Sequence, residues 1–290
     1  MIEPFGAGGG PDVVARAISP KLSHLWGQPV TVENRPGEGS TEAPALVAKA
    51  PADGYTLLVN TSAQAYSAAF VNKLPYDPLK DFIPVAPLTS QPYVLVAGKS
   101  SRIATVAELI AKAKPGQLTF GSTGVGTGSY VGVHKFNAAA RIQAVHVPPG
   151  ATDAIADVIA STVAGRSTYL IVPIPLALAD IRSGKLQALG VTTRKRSSLL
   201  PEVPTISEAG VSGFDHPIWY GIWVPTGTPA AIVDKLAKDV ARVLAAPDLR
   251  DQLAKHGADP MSMTQPEFAH FVLTESESAA SIIKAAGIKP

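Results

Sequence analysis

The chain of 290 residues contains no cysteine, which excludes disulfides, thiolate nucleophiles and Cys-ligated metals and leaves both reducing and oxidising compartments open. Charged residues make up only 17%, below the usual quarter or so. With 25 Lys and Arg against 23 Asp and Glu, the net charge is +2. That balance gives no overall field for a polyanion, and no basic run supplies a local one, so a nucleic-acid partner is not expected. No window approaches 18 consecutive apolar residues, and Met1-Ile2-Glu3-Pro4-Phe5 contains no basic region followed by an apolar stretch. Neither a membrane span nor a signal peptide is therefore expected within this chain. A mature form would look the same, so this does not imply a cytoplasmic home.

What is present is apolar and rich in turn-forming residues: 46% hydrophobic, with 25 Gly and 26 Pro. At roughly 150 residues per domain the length suggests two domains, each able to bury a core without staples. Strand-like runs alternate with helical patterns, which predicts an α/β fold with mainly parallel sheets flanked by helices. Residues 12–25 place Val14, Ala17, Ile18, Leu22 and Leu25 on one helix face, with Pro11 suited to the first helical position. Strands are predicted at 29–34, 55–60, 93–97, 118–121, 143–147, 168–172, 186–192 and 218–224. Thr105, Thr205 and Thr264, each with Glu three residues on, read as capping boxes where helices begin. After Trp223-Val224-Pro225 the pattern is consecutive helices at 229–245, 247–256 and 265–286, expected to cover the sheet of the first hundred residues. No internal repeat or low-complexity segment is present.

Two glycine-rich loops stand between strand and helix: Pro4-Phe5-Gly6-Ala7-Gly8-Gly9-Gly10-Pro11, and Gly121-Ser122-Thr123-Gly124-Val125-Gly126-Thr127-Gly128-Ser129. Glycines let amides turn toward an anion, the following helix adds its positive dipole end, and in the second loop hydroxyls join as donors. Each also has a steric reading. Two such loops in different lobes are better explained by a cleft lined from both sides. Neither contains Lys or Arg, and neither fits a nucleotide motif, so a carboxylate guest is more natural than a triphosphate. No Gly-x-Ser-x-Gly elbow or His-Glu-x-x-His is found, and the six histidines are scattered and read as structural. An α/β hydrolase or transferase using Ser122, Thr123 or Ser129 is the alternative, weakened by the absence of an identifiable base beside the loop. Asp12 reads as compensating the helix dipole. Trp219, Tyr220 and Trp223 read equally as core packing or as an aromatic wall.

The residues Pro4-Phe5 with the glycine run, Asp12-x-x-Ala15-Arg16, the stretch from Gly27 to Gly37, Ala48 to Leu58, Leu74 to Pro78, the second glycine loop, Ile181-Arg182-x-Gly184-Lys185-Leu186 and Leu200-Pro201-x-Val203-Pro204-Thr205 resemble the Bug-type, TctC-like extracytoplasmic solute receptors of tripartite tricarboxylate transporters. The similarity runs nearly the whole length. It implies a two-lobed, type II-like periplasmic-binding-protein fold with venus-flytrap closure, a periplasmic location, a monomer, transient contact with membrane transporter subunits, and a small carboxylate as ligand, with no catalysis, cofactor or metal. Lobe 1 is expected at 1–98 plus 222–290 and lobe 2 at 99–221. By resemblance, contacts fall on Phe5 to Gly9, on Ser62 and Gln64, on Ser122, Thr123, Gly124, Thr127 and Ser129, and on Trp219 and Tyr220. This chain departs from the family at Val172-Pro173, where an Asp-Asn is usual, at Leu176, where a Ser is usual, in its short first strand, and at Pro149-Gly150. If Val172, Pro173 and Leu176 face the guest, a carboxylate with an apolar or aromatic body is expected.

Overall fold

The computed structural model describes residues 1–37, 41–70, 74–113, 117–148 and 154–286. Pro149-Gly150 lies outside them. The chain divides into two compact units, Met1–Ser90 with Trp219–Lys284, and Gln91–Ile218. Among the described residues no helix is long and apolar enough to cross a membrane.

The first unit begins with β1 (Ile2–Glu3), which pairs in parallel with β2 (Glu33–Asn34) and β3 (Leu58–Thr61). Between β1 and β2 lies α1 (Gly10–Trp26), with Pro11 in its first turn and Gly27 closing it in the left-handed conformation at φ 65°. Val14, Ile18 and Leu22 are fully buried, the face that the apolar spacing predicted. The predicted strand at 29–34 shrinks to two residues because Pro29 has no N–H and the Val30 amide donates to the Ser23 hydroxyl at 2.8 Å instead of to a neighbouring strand. The 55–60 strand likewise starts late, since Tyr55 is 84% exposed and its amide is taken by Asp53 at 3.0 Å.

After α2 (Glu42–Ala48) and α3 (Ala63–Phe70) comes β4 (Phe82–Gly98), whose 17 residues run from the first unit into the second. Of this strand only 93–97 was predicted; Pro84, Pro87 and Pro92 interrupt the strand pattern before it. In the second unit α4 (Val106–Ala111) precedes β5 (Thr119–Gly121), α5 (Gly128–Ala140) and β6 (Val145–Val147). Then follow α6 (Ala154–Val163), β7 (Tyr169–Pro173), α7 (Ile174–Arg182) and β8 (Leu186–Val191). Here β5 pairs in parallel with β6 and β7, while β4 pairs antiparallel with β7 and β8. The core of this unit includes Val94, Val96, Leu170, Val172, Ile174 and Val191.

The chain returns through β9 (Pro217–Pro225), antiparallel to β3, and ends in α8 (Ala230–Leu244), α9 (Pro247–Ala254), β10 (Asp259–Pro260) and α10 (Gln265–Ala286). The expectation of helices alone in this last third is corrected by β10, which adds antiparallel to β4 through Asp259↔Ser90 and Pro260↔Thr89. The helices pack on the first unit. Trp26 Nε1 donates to Asp239 at 2.7 Å, and Phe268 leaves no room for a side chain at Gly221.

The capping boxes at Thr105 and Thr264 sit at helix starts, with the Thr105 hydroxyl accepting from the Glu108 amide at 3.1 Å. The one at Thr205 does not. Its two reciprocal bonds, 2.9 and 2.8 Å, close a turn, since Gly210 at φ 111° and Gly213 at φ 73° leave the helical path.

Candidate functional site

In the first unit the predicted residues gather at one edge of the sheet. The Phe5–Gly9 loop leaves the carboxyl end of β1, and Ser62 leaves the carboxyl end of the parallel β3. Tyr220 pairs with Thr61 in the antiparallel β9, and the Ser62 amide donates to the Trp219 carbonyl at 2.9 Å. Ligands of open α/β sheets bind at such carboxyl ends.

The loop is stitched from beneath by a buried polar network. Glu3 accepts from the Phe5 amide at 3.1 Å and from the Asn34 side chain. Asn34 also donates to Asp12 at 2.9 Å, while Asp12 accepts from the Gly8 amide and from Arg16, both at 2.8 Å. Burial pushes Glu3 up to about 7, against the hydrogen bonds from Asn34 and Phe5. Burial acts the same way on Asp12 but is outweighed by Arg16, the Gly8 amide and Asn34, which hold it below the usual carboxylate range. Asp12 is thus a hub of the loop, beyond the dipole role its position suggested. Sequence reasoning missed Glu3 and Asn34, since nothing local marks a network that closes across 31 residues.

This network also decides which donors remain. The Phe5, Gly8 and Gly9 amides are spent inside the loop, whereas the Gly6 and Ala7 amides, on exposed residues, have no partner among the described residues. Ser62 Oγ is buried without a partner among them. Gln64 is different: its amide donates to the Pro78 carbonyl at 3.1 Å and accepts from Asn60 at 2.8 Å, so both ends are used internally. Trp219 packs in the core against Phe268 and Phe271, with its indole N–H donating to Glu275 at 3.3 Å. Tyr220, one residue on, brings its hydroxyl against Gly10 at the start of α1.

In the second unit the Ser122–Ser129 loop follows β5 and leads into α5, and Pro173 ends the parallel β7 at the same edge. The hydroxyls expected to serve a guest are largely used by the loop. Thr123 donates to Thr127 at 3.1 Å, Thr127 donates to the Gly124 carbonyl at 2.7 Å and caps α5, and Ser129 donates to the Ile171 carbonyl. Gly124 and Gly126 adopt φ 125° and 83°, which residues with side chains disfavour. The Val125 and Gly126 amides have no partner among the described residues. Val172 is buried in the unit's core, Pro173 is half-buried, and Leu176 on α7 is exposed.

The expectation that no base stands beside this loop is corrected. His146 Nε2 lies 2.8 Å from Ser122 Oγ, which also accepts from the Gly124 amide at 3.3 Å. His146 stacks on Phe120 and meets the edge of Tyr130, next to His134. Burial lowers His146, and burial with the neighbouring His146 charge pushes His134 down to about 4. No carboxylate orients His146 among the described residues, and Ser122 is fully buried. Among the described residues no group of three or more His, Asp or Glu could hold a metal.

A family model described as "Tripartite tricarboxylate transporter family receptor" matches residues 14–288. The chain belongs to this receptor family. It is 36% identical to the UPF0065 protein in the tcbD-tcbE intergenic region of Pseudomonas sp. strain P51, over 97% of this chain and 84% of that protein. It is 32% identical to Protein BugT of Bordetella pertussis, over 100% and 89%. Among solved structures it resembles R. palustris Rpa4515 with adipate, at TM-score 0.86 and 32% identity, covering 100% and 97% of the two chains. MatC from Rhodopseudomonas palustris with bound malate follows at TM-score 0.81 and 32% identity, covering 97% of each chain. Periplasmic binding protein BugD gives TM-score 0.82 and 27% identity, covering 100% of this chain and 97% of that one. The fold of this TctC receptor is accordingly the α/β periplasmic-binding-protein fold.

Proposed function

We propose that this receptor binds a small carboxylate in the periplasm and hands it to a tripartite tricarboxylate-type transporter without altering it. The observation that carries this reading is the family membership, joined to relatives that hold adipate and malate. The glycine loop on each unit supplies donors for the acid group. In the first unit these are the Gly6 and Ala7 amides of the loop that leads into α1, with Ser62 at the end of the neighbouring β3. In the second they are the Val125 and Gly126 amides, with the buried Ser122 hydroxyl at the start of the loop. Neutral donors at helix starts suit a carboxylate because they stabilise charge without a competing cation. We assign the units to the two lobes of the receptor and expect it to act as a monomer.

A thermal-shift screen of mono-, di- and tricarboxylates tests the proposal, since a ligand at 100 times its Kd adds roughly 2.7 kcal/mol to stability. A screen in which no carboxylate raises the melting temperature counts against it.

The Ser122–His146 contact favours a second reading, an esterase with Ser122 as nucleophile and His146 as base. The burial of Ser122 and the amide already bonded to its oxygen weigh against it. Turnover of small esters that disappears in Ser122→Ala would establish this second reading.

A further inference from the structure

The second unit carries a concavity of about 620 Å³ at the end of its sheet opposite to the Ser122–Ser129 loop. It lies where β4 ends and β5, β7 and β8 begin, all four strand ends meeting at one pole by the pairing of β4 with β7 and β8 and of β5 with β7. Its wall includes Ser100, Ser101, Lys112, Gln117, Ser167 and Thr168 beside the apolar Ile103 and Leu118, with no carboxylate among the described residues of the lining.

Lys112 is exposed, and its ammonium donates to the carbonyls of Ser101 and Arg102 at 2.8 and 3.0 Å, which places its charge at the wall. Ser101 Oγ is buried and has no hydrogen-bond partner among the described residues. Gly165, at φ 77°, keeps the floor open, because a β-carbon there would stand 2.8 Å from Ser100 Oγ. Exposed Lys99, Arg102, Arg166 and Lys185 adjoin the lining residues in the chain or through the Lys99 amide bond to the Lys185 carbonyl. Of the nearby acids, Glu108 accepts from the Ala104 amide at 2.7 Å and Asp180 pairs with Lys185 at 3.2 Å, which leaves Lys99, Arg102 and Arg166 without an ion pair among the described residues. Lys99, Arg102, Lys112 and Arg166 thus gather basic charge at this end of the second unit, in a chain whose net charge is only +2.

We propose that this groove is a second anion site, taking a phosphate group esterified to a polyol. The Lys112 ammonium and the Ser101 hydroxyl meet the phosphate, and the Ser100 hydroxyl and Gln117 meet the polyol, since the Ser167 and Thr168 hydroxyls are bonded to Thr162 and Thr119. Such a group could come from a free polyol phosphate or from a glycerophospholipid headgroup, and its pole leaves the glycine-loop edge of the unit free.

The test uses the full chain in two arms. Calorimetry with glycerol 3-phosphate reads the free source, and co-sedimentation with phosphatidylglycerol vesicles against phosphatidylcholine vesicles reads the headgroup. Binding in either arm is expected to weaken roughly tenfold in Lys112→Gln and several-fold in Ser101→Ala. Ser101→Ala removes a hydroxyl that has no folding partner, so it stays informative if Lys112→Gln perturbs the 99–102 turn. Binding in neither arm overturns the proposal, as does binding that is unchanged in Ser101→Ala and Lys112→Gln.

Discussion

The hydroxyl of Tyr220 occupies the space that a side chain at Gly10 would need, standing 2.1 Å from the position of its β-carbon. Tyr220 is buried and the start of α1 is pinned by the Asp12 network, so neither can retreat easily. The pair therefore fixes where the first glycine loop enters its helix.

Gly10→Ala is expected to destabilise the protein by roughly 1–3 kcal/mol through overpacking. Tyr220→Phe removes the closest atom, so the double variant should recover part of the loss. Urea unfolding of all four proteins measures the coupling. If the two effects add within about 0.5 kcal/mol, the contact does not govern the site.

Much of this arrangement was legible beforehand, and the remainder shows what a sequence hides. Strand-to-helix glycine loops and the apolar face of α1 are local patterns, so they could be read directly. The partners of those loops are not local. Asn34 meets Glu3, and His146 meets Ser122, through strand pairings that no spacing along the chain encodes. Alternation along β9 made one of Trp219 and Tyr220 face the core and the other face the loop, but both are aromatic and the pattern alone could not say which. The prolines of β4 concealed a strand whose donors are supplied by its other residues, and β10 is too short to leave a signal.

The raised Glu3 carboxyl makes stability depend on pH. Its folded value is about 7 against 4.5 in its ordinary state, so between these values the folded protein holds a proton that the unfolded chain has lost. Stability should therefore fall as pH rises through that window, by at most roughly 3 kcal/mol, and level off above it. Asp12, held low, acts in the opposite sense and loses its contribution only as acid protonates it. Urea midpoints between pH 4.5 and 8 should decline in the native protein and flatten in Glu3→Gln. Parallel slopes in the two proteins would show that Glu3 titrates normally.

His146 sets what Ser122 can offer. With Gly124 donating to one side of Ser122 Oγ, the His146 tautomer that carries its proton on Nε2 would fill the other and free the hydroxyl hydrogen for a further acceptor. His146→Phe keeps a ring against Phe120 and Tyr130 but removes this bond. Carboxylate affinity should drop by a few-fold to tenfold, matching a hydrogen bond worth about 0.5–1.5 kcal/mol, and Ser122→Ala should give a similar loss. The double variant should be little worse than either alone. Calorimetry that finds fully additive losses would separate the two residues.

The last expectation concerns the body of the guest. At the glycine-loop edge of the second unit, Val125 is 51% exposed and Leu176 is 39% exposed, with half-buried Pro173 beside them in the chain order of that edge. Val172 and Trp219, by contrast, are enclosed in the cores of their units and are not available to line a wall. An apolar surface of this kind rewards methylene groups at about 0.8 kcal/mol for each one buried. It penalises hydroxyls and extra acid groups left unpaired at roughly 1–3 kcal/mol each. A linear dicarboxylate such as adipate should therefore bind more tightly than citrate, by tenfold or more. Leu176→Ser should weaken adipate several-fold while leaving malate, which has little apolar body, nearly unchanged. Calorimetry on the three acids decides the matter, and citrate binding more tightly than adipate would show that Val125 and Leu176 do not face the guest.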